Sequence, residues 1–96
     1  MIIEVGRSGE PRLSDVDNFR AFKVVSALTG ETRDAVLSKV GRVEDNHLWV
    51  PRAWIERHGR LDDKAWLAGL GNMVDYAAKA GWIDADGAIR AHIENG

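Results

Sequence analysis

The amino-acid sequence predicts an α+β protein: a small single domain over residues 1–96, with about four helices around a central helix at 62–81 and short, mainly antiparallel strands or hairpins. Three observations support this prediction. A chain of 96 residues suffices for one domain. One long stretch has a helical period. Several short β-branched runs are bounded by turn residues.

The central helix is predicted from an apolar stripe within residues 62–81. Its members recur at spacings of four, three and four, which is the period of an α-helix with one buried face. They are Trp66, Leu70, Met73 and Ala77. Asp62 and Asp63 precede the stripe, where acidic side chains favour a helix N-terminus, and Gly81 follows it, where a left-handed residue ends a helix.

A short strand is predicted at residues 2–5, which are rich in β-branched residues. Residues 6–12 follow as a polar connection, because their glycines and proline oppose regular structure. This connection lacks the Gly-Lys-Ser/Thr ending of a phosphate-binding loop. It is therefore predicted to bind no nucleotide.

A helix is predicted over residues 15–28. Ser14 followed by Asp17 resembles a capping box, and apolar residues then recur at every third position. The run at 22–27 is also rich enough in β-branched residues to form a strand, so both interpretations stay open there. A second short helix is predicted to end at Gly41.

The second half of the chain is predicted to contain a hairpin, a short helix and a terminal strand. Asp45-Asn46 supplies the turn of the hairpin, and Pro51 starts the helix. Residues 88–94 alternate between apolar and polar, which is typical of a half-buried strand. We expect this strand to pair with the Trp82 segment or with the N-terminal strand, and one of the two terminal strands to be a sheet edge.

Composition argues against several classes of function. Fifteen Asp and Glu against 13 Lys and Arg give a net charge of −2, which argues against binding driven by nucleic-acid phosphates. No cysteine is present for disulfides or thiolate metal sites. No segment approaches the roughly 20 apolar residues of a membrane span. We therefore expect a cytoplasmic protein without a membrane partner.

The segment from the Pro51 helix to the terminal strand resembles a winged helix in outline. The helix that would enter the major groove begins with Asp62 and Asp63 and contains no arginine. Groove recognition and phosphate contacts need cations and amides there. Nucleic-acid binding is therefore the least expected of three function classes.

Three histidines, His47, His58 and His92, are candidates for acid–base chemistry or metal ligation. Their spacing matches no metal-ligand pattern, and no nucleophile motif or dinucleotide fingerprint accompanies them. We therefore predict no metal, no cofactor and no catalytic residue. Whether the protein is an enzyme stays open.

The start of the helix that follows Val50 is the one candidate ligand site. Val50 offers no side-chain oxygen to the free N–H groups, and Arg52 lies near the positive end of the helix. A carboxylate or phosphate would satisfy both through Arg52 and the backbone of Ala53, with His47 or Trp49 from the preceding strand. Water or a distant side chain is the alternative.

The first function class is an interaction or accessory protein that self-associates as a homodimer. Four Trp, two Phe and one Tyr exceed what a small interior needs, and Trp49 and Trp54 are the candidate interface anchors. The second class is a small-molecule anion-binding protein, or an enzyme, whose site is assembled from distant positions. A pocket that gathers histidines and arginines would favour the second class.

Overall fold

Six strands and three helices make up the computed structural model, which describes residues 1–96. The strands are β1 (Ile2–Val5), β2 (Pro11–Ser14), β3 (Lys23–Ser26), β4 (Arg42–Glu44), β5 (His47–Val50) and β6 (Ile89–Asn95). The helices are α1 (Gly30–Leu37), α2 (Arg52–His58) and α3 (Lys64–Lys79). All six strands join one sheet in the order β2-β1-β3-β6-β5-β4.

The predicted arrangement of about four helices around a central helix is wrong, because a six-stranded mixed sheet is the centre of the fold. β3 pairs in parallel with both β1 and β6. The other three pairs, β1 with β2, β4 with β5 and β5 with β6, are antiparallel. Parallel strands need long connections, so their pairing leaves no local pattern in the sequence.

The helix predicted over residues 15–28 does not form. Asp15 has a φ of 51°, which starts a turn instead of a helix. Ser14 lies in β2, so the predicted capping box is absent. The strand interpretation of residues 22–27 is confirmed by β3, which gains backbone hydrogen bonds from a neighbour on each side.

A helix within the predicted stretch 62–81 is confirmed as α3, although it is not the centre of the fold. The Asp63 carboxylate accepts a hydrogen bond of 3.0 Å from the backbone N–H of Trp66 and so caps the first turn. Gly81, with a φ of 81°, follows the C-terminal end of α3. The whole predicted stripe, Trp66, Leu70, Met73 and Ala77, is buried.

The predicted hairpin and the helix after it are also confirmed. Asp45, with a φ of 55°, lies in the turn between β4 and β5. Pro51 precedes α2 as its N-cap and is not its first helical residue, and Gly59 follows the last one. Local turn chemistry therefore determines this part of the chain.

The terminal strand is confirmed as β6; of its two predicted partners, the Trp82 segment is joined to it by a short antiparallel bridge, and the N-terminal strand is not its neighbour. β6 pairs with β3 and β5, and a single bridge joins Ile89 to Ile83 in the Trp82 segment. β1 and β6 are both internal, and the sheet edges are β2 and β4. An internal β6 cannot be the wing of a winged helix. Ile89, Ala91 and Ile93 are buried, which suits a strand with neighbours on both sides.

The two faces of the sheet differ. One face builds the core together with buried helix residues, and its buried strand residues are Ile3, Val5, Val24, Leu48, Val50, Ile89, Ala91 and Ile93. Alternate strand residues form the opposite face, which we call the open face because its residues are half-buried or exposed. On β3, β5 and β6 it consists of Lys23, Val25, His47, Trp49, Arg90, His92 and Glu94.

Candidate functional site

A cleft of about 180 Å³ lies at the end of the sheet where β3 and β6 begin. Twelve residues line it, from the loop before β3, from α3, from the segment after α3, and from β5 and β6. An adjoining groove of about 450 Å³ shares Phe19, Arg20, Met73 and Tyr76 with the cleft. Only six residues line this groove, and Arg20 is its one charged residue. The cleft therefore offers more charged and polar side chains for contact with a ligand than the groove does.

The floor of the cleft consists of Met73, Ala77 and Ile89. Met73 and Ala77 are four residues apart on α3 and therefore share a face of the helix. The three residues are 8%, 4% and 2% exposed, respectively. A molecule in the cleft would meet an apolar surface at its inner end.

The aromatic wall of the cleft consists of Phe19, Phe22, Tyr76 and Trp82. Tyr76 and Trp82 meet edge to face, with ring centroids 6.0 Å apart and an interplanar angle of 65°. Tyr76 is 65% exposed and Trp82 is 38% exposed. These two residues therefore leave a large aromatic surface in contact with water.

The loop that carries Phe19 is held against α3 by two contacts. The indole Nε1 of Trp66 donates a hydrogen bond of 2.8 Å to the carbonyl of Val16. The Phe19 ring lies so close to Gly69 that a Cβ atom there would be 2.5 Å from it. A glycine in the middle of α3 thus makes room for one side of the aromatic wall.

The basic rim of the cleft consists of Arg20, Arg90, His47 and His92. His47 and His92 are cross-strand partners in β5 and β6, and their ring centroids lie 5.6 Å apart. Arg90 is two residues before His92, so both side chains belong to the open face. The Arg90 guanidinium carbon lies 5.8 Å from the centroid of the Trp82 ring.

Arg90 is half-buried but has no anionic partner. None of the protein's six ion pairs uses it, and its side chain makes no hydrogen bond. No Asp or Glu lines the cleft. Two carboxylates near the histidines are already engaged, since Lys23 lies 3.3 Å from Glu94 and Arg42 lies 2.8 Å from Glu44. The two arginines of the basic rim therefore carry positive charge that no carboxylate compensates.

Trp82 belongs to a segment that Asp84 fastens to the edge of the sheet. The Asp84 carboxylate accepts backbone hydrogen bonds from Asp86 at 2.9 Å and Ala88 at 2.8 Å, and one from Arg42 at 3.1 Å. The bond from Ala88, and then that from Arg42, lower the pKa of Asp84 from its ordinary value of 3.8. The hydrogen bond between Arg42 and Asp84 also raises the pKa of Arg42.

The four residues of the predicted anion site lie in two different surroundings. The Arg52 guanidinium is 3.4 Å from the Glu56 carboxylate, and Ala53 is exposed on α2. His47 and Trp49 belong to the open face, and no hydrogen bond or ion pair joins either of them to Arg52. The structure brings His47 to the cleft instead. Anion binding at the start of α2 stays a prediction.

The two candidate interface residues also differ in exposure. Trp54 is 5% exposed, and its ring stacks on His58 at 4.1 Å, so it lies in the core. Trp49 is half-buried on the open face with the Arg42 guanidinium carbon 5.3 Å from its centroid. Its Nε1 atom is enclosed without a hydrogen-bond partner. Of the two, only Trp49 can contact a second protein while this chain stays folded.

Sequence reasoning missed Arg20, Arg90 and Trp82 as site residues, and it considered His92 only for acid–base chemistry or metal ligation. One available signal was the polar side of the predicted terminal strand, where Arg90 and His92 alternate with apolar residues. Predicting the site also requires the pairing of β5 with β6, which puts His47 beside His92. This pairing joins distant parts of the chain. No local pattern predicts that pairing.

Comparison with protein-family models, with curated proteins and with solved structures gives no match to this chain. No helix combines the length and apolar content that crossing a lipid bilayer requires. No three His, Cys, Asp or Glu side chains are grouped so that they could hold a metal ion. Function must therefore be inferred from the chemistry of the cleft.

Proposed function

We propose that this chain is a binding protein for a small anionic molecule, which the cleft holds between its basic rim and its floor. The observation that carries this proposal is Arg90, a half-buried guanidinium without a carboxylate partner. A partly desolvated charge is costly unless an anion compensates it. A bound anion would supply that compensation.

The charge distribution of the chain supports the proposal. The protein has 15 acidic residues against 13 Lys and Arg, yet the cleft is lined by two arginines and two histidines and by no acid. An excess of positive charge in a concave, partly apolar site attracts anions and strengthens their binding. This is the second of the function classes predicted from the sequence, at a site assembled from distant residues.

Binding is a better match to the site than catalysis. His47 and His92 make no hydrogen bond to a carboxylate or to a hydroxyl group, so no acid–base relay is assembled. The imidazole N–H groups are instead free to donate to a ligand, next to the guanidinium of Arg90. The basic rim thus has the donors of an anion site, and no Ser, Thr or Cys nucleophile accompanies them.

Amide NMR spectra recorded during titration with sodium benzoate, at constant ionic strength in a buffer that contains no carboxylate or phosphate, test the proposal. We expect the amides of Arg90, His92 and His47 to shift as benzoate rises to about 10 mM, a range that covers millimolar dissociation constants. The amides of Arg52 and Ala53 report separately on the anion site predicted at the start of α2. The proposal is overturned if the rim amides stay still or if only Arg52 and Ala53 respond.

A homodimer is the second candidate, and the open face favours it. Ile2, Val25 and Trp49 are half-buried there, and no helix of the chain covers them. Pairing through β2 or β4 is less favourable, since both edge strands are short and carry proline or charged residues. Sedimentation equilibrium up to about 100 μM is the test. We expect a dimer mass that Val25→Glu abolishes; a monomer mass throughout contradicts the dimer.

A further inference from the structure

We infer that the ligand of the cleft is a small aromatic carboxylic acid with a single ring. This inference rests on the proposed anion binding and adds the chemical class of the anion. The cleft has two chemically different ends, the buried apolar floor and the basic rim. A molecule that satisfies both ends must carry an apolar body and one acidic group.

The size of the cleft limits the body of this molecule. An apolar cavity of roughly 150 Å³ accommodates benzene. The cleft, at about 180 Å³, therefore has room for one ring and a short acidic substituent. A nucleotide is too large for the cleft alone, and inorganic phosphate would leave the floor uncovered.

The aromatic wall favours a flat ring over an aliphatic one. Tyr76 and Trp82 meet edge to face and are both exposed, so each can offer a ring face or edge to a ligand. Phe22 adds a third, half-buried ring. Aromatic pairs gain affinity beyond their buried area, by a factor of roughly 2 to 10 for each good contact.

The basic rim favours a carboxylate as the acidic group. The planar guanidinium of Arg90 matches a carboxylate with two parallel hydrogen bonds. The imidazoles of His47 and His92 lie on the same face and can donate to the same group. Glu94 does not compete, because Lys23 holds it at 3.3 Å.

Calorimetric titration of the full chain with four probes at pH 7 and constant ionic strength tests this assignment. The probes are benzoate, cyclohexanecarboxylate, benzyl alcohol and inorganic phosphate. We expect benzoate to bind tightest, cyclohexanecarboxylate roughly 2- to 10-fold more weakly, and the other two at least about 10-fold more weakly, since each lacks one half of the match.

Each alternative result overturns a defined part of the argument. Phosphate binding as tightly as benzoate, with the same shifts at Arg90 and His92, would retain the proposed anion binding and overturn the aromatic assignment. Benzyl alcohol binding as tightly as benzoate would overturn the carboxylate and the anion site with it. No heat and no shift with any probe would overturn both.

Variants of the aromatic wall provide the second measurement. Trp82→Leu and Tyr76→Leu replace exposed rings without emptying the core, because these residues are 38% and 65% exposed. We expect each to remove most of the preference for benzoate over cyclohexanecarboxylate. Leu61→Ala, at an exposed apolar residue outside the cleft, is the matched control. An unchanged preference in both wall variants overturns the aromatic assignment.

Discussion

Arg42 and Arg90 flank the same residue from opposite sides, since each is the cross-strand partner of Trp49. Each guanidinium also lies near an indole ring, at 5.3 Å from Trp49 for Arg42 and at 5.8 Å from Trp82 for Arg90. The two arginines differ in whether a carboxylate lies near the guanidinium. Arg42 lies 2.8 Å from Glu44 and 3.1 Å from Asp84, whereas Arg90 has no carboxylate.

This difference is the reason for the structural role of Arg42 and for the binding role that we propose for Arg90. The partners of Arg42 come from its own strand and from the segment after α3, so its charge helps to fasten that segment. The charge of Arg90 has no such use within the chain. Both residues are arginines beside Trp49, but Arg42 is exposed on the edge strand β4 and has two carboxylate partners, whereas Arg90 is half-buried on the internal strand β6 and has none.

Removing the charge of Arg90 should have the largest effect of the changes considered. Arg90→Gln should weaken benzoate binding roughly 10- to 100-fold, since a hydrogen bond to a charged group contributes about 1.5–3 kcal/mol. The free energy of unfolding should change by less than about 1 kcal/mol, because only the contact with Trp82 is lost. Calorimetry and urea unfolding measure the two quantities. Arg90→Lys, which keeps the charge, should bind at an intermediate level; equal affinity in all three proteins would contradict the binding role.

Asp84→Ala should affect stability instead. It leaves the partly buried N–H of Ala88 without its partner, which should lower the free energy of unfolding by about 1–2 kcal/mol. Asp84→Asn, which keeps an acceptor oxygen but loses the charge, is the control and should lose less. Urea unfolding at pH 7 decides between them. A parent-like midpoint for Asp84→Ala would mean that the segment is not fastened by this carboxylate.

The pH dependence of stability should also distinguish the two regions. The pKa of Asp84 is lowered in the folded state, mainly by the hydrogen bond from Ala88, so its contribution is complete above its unfolded pKa of about 4. The contribution is lost as the pH falls through the lower folded pKa. The stability gap between the parent and Asp84→Asn should therefore narrow below about pH 4. Urea unfolding from pH 2 to 7 measures the gap; a gap that is constant with pH contradicts this account.

Arg52→Gln should have the smallest effect. Arg52 forms a partly exposed pair with Glu56, four residues away on α2, and such pairs typically contribute about 0.3–0.5 kcal/mol. Benzoate affinity should not change, because Arg52 does not line the cleft. The calorimetric titration used for Arg90→Gln measures this. A large loss of affinity would transfer the anion site to the start of α2.

Local chemistry made several elements predictable from the sequence. The Asp63 cap, the apolar stripe from Trp66 to Ala77 and the Asp45 turn all depend on neighbours a few residues away. β3 was ambiguous, since its strand character is decided by β1 and β6, which lie far away in the chain. The cleft could not be predicted for the same reason. Its residues become neighbours only once the sheet order is fixed.

β6 is the last strand in the sequence but lies inside the sheet, between β3 and β5. A nascent chain that stops before Ile89 would contain two strand groups, β2-β1-β3 and β5-β4, with no strand to join them. The pairing of Lys23 with His92 joins residues that are far apart in the sequence. Closing the loop between them has an entropic cost, which slows the formation of this pair. Without β6, the facing edges of β3 and β5 are unpaired and open to pairing with strands of other chains.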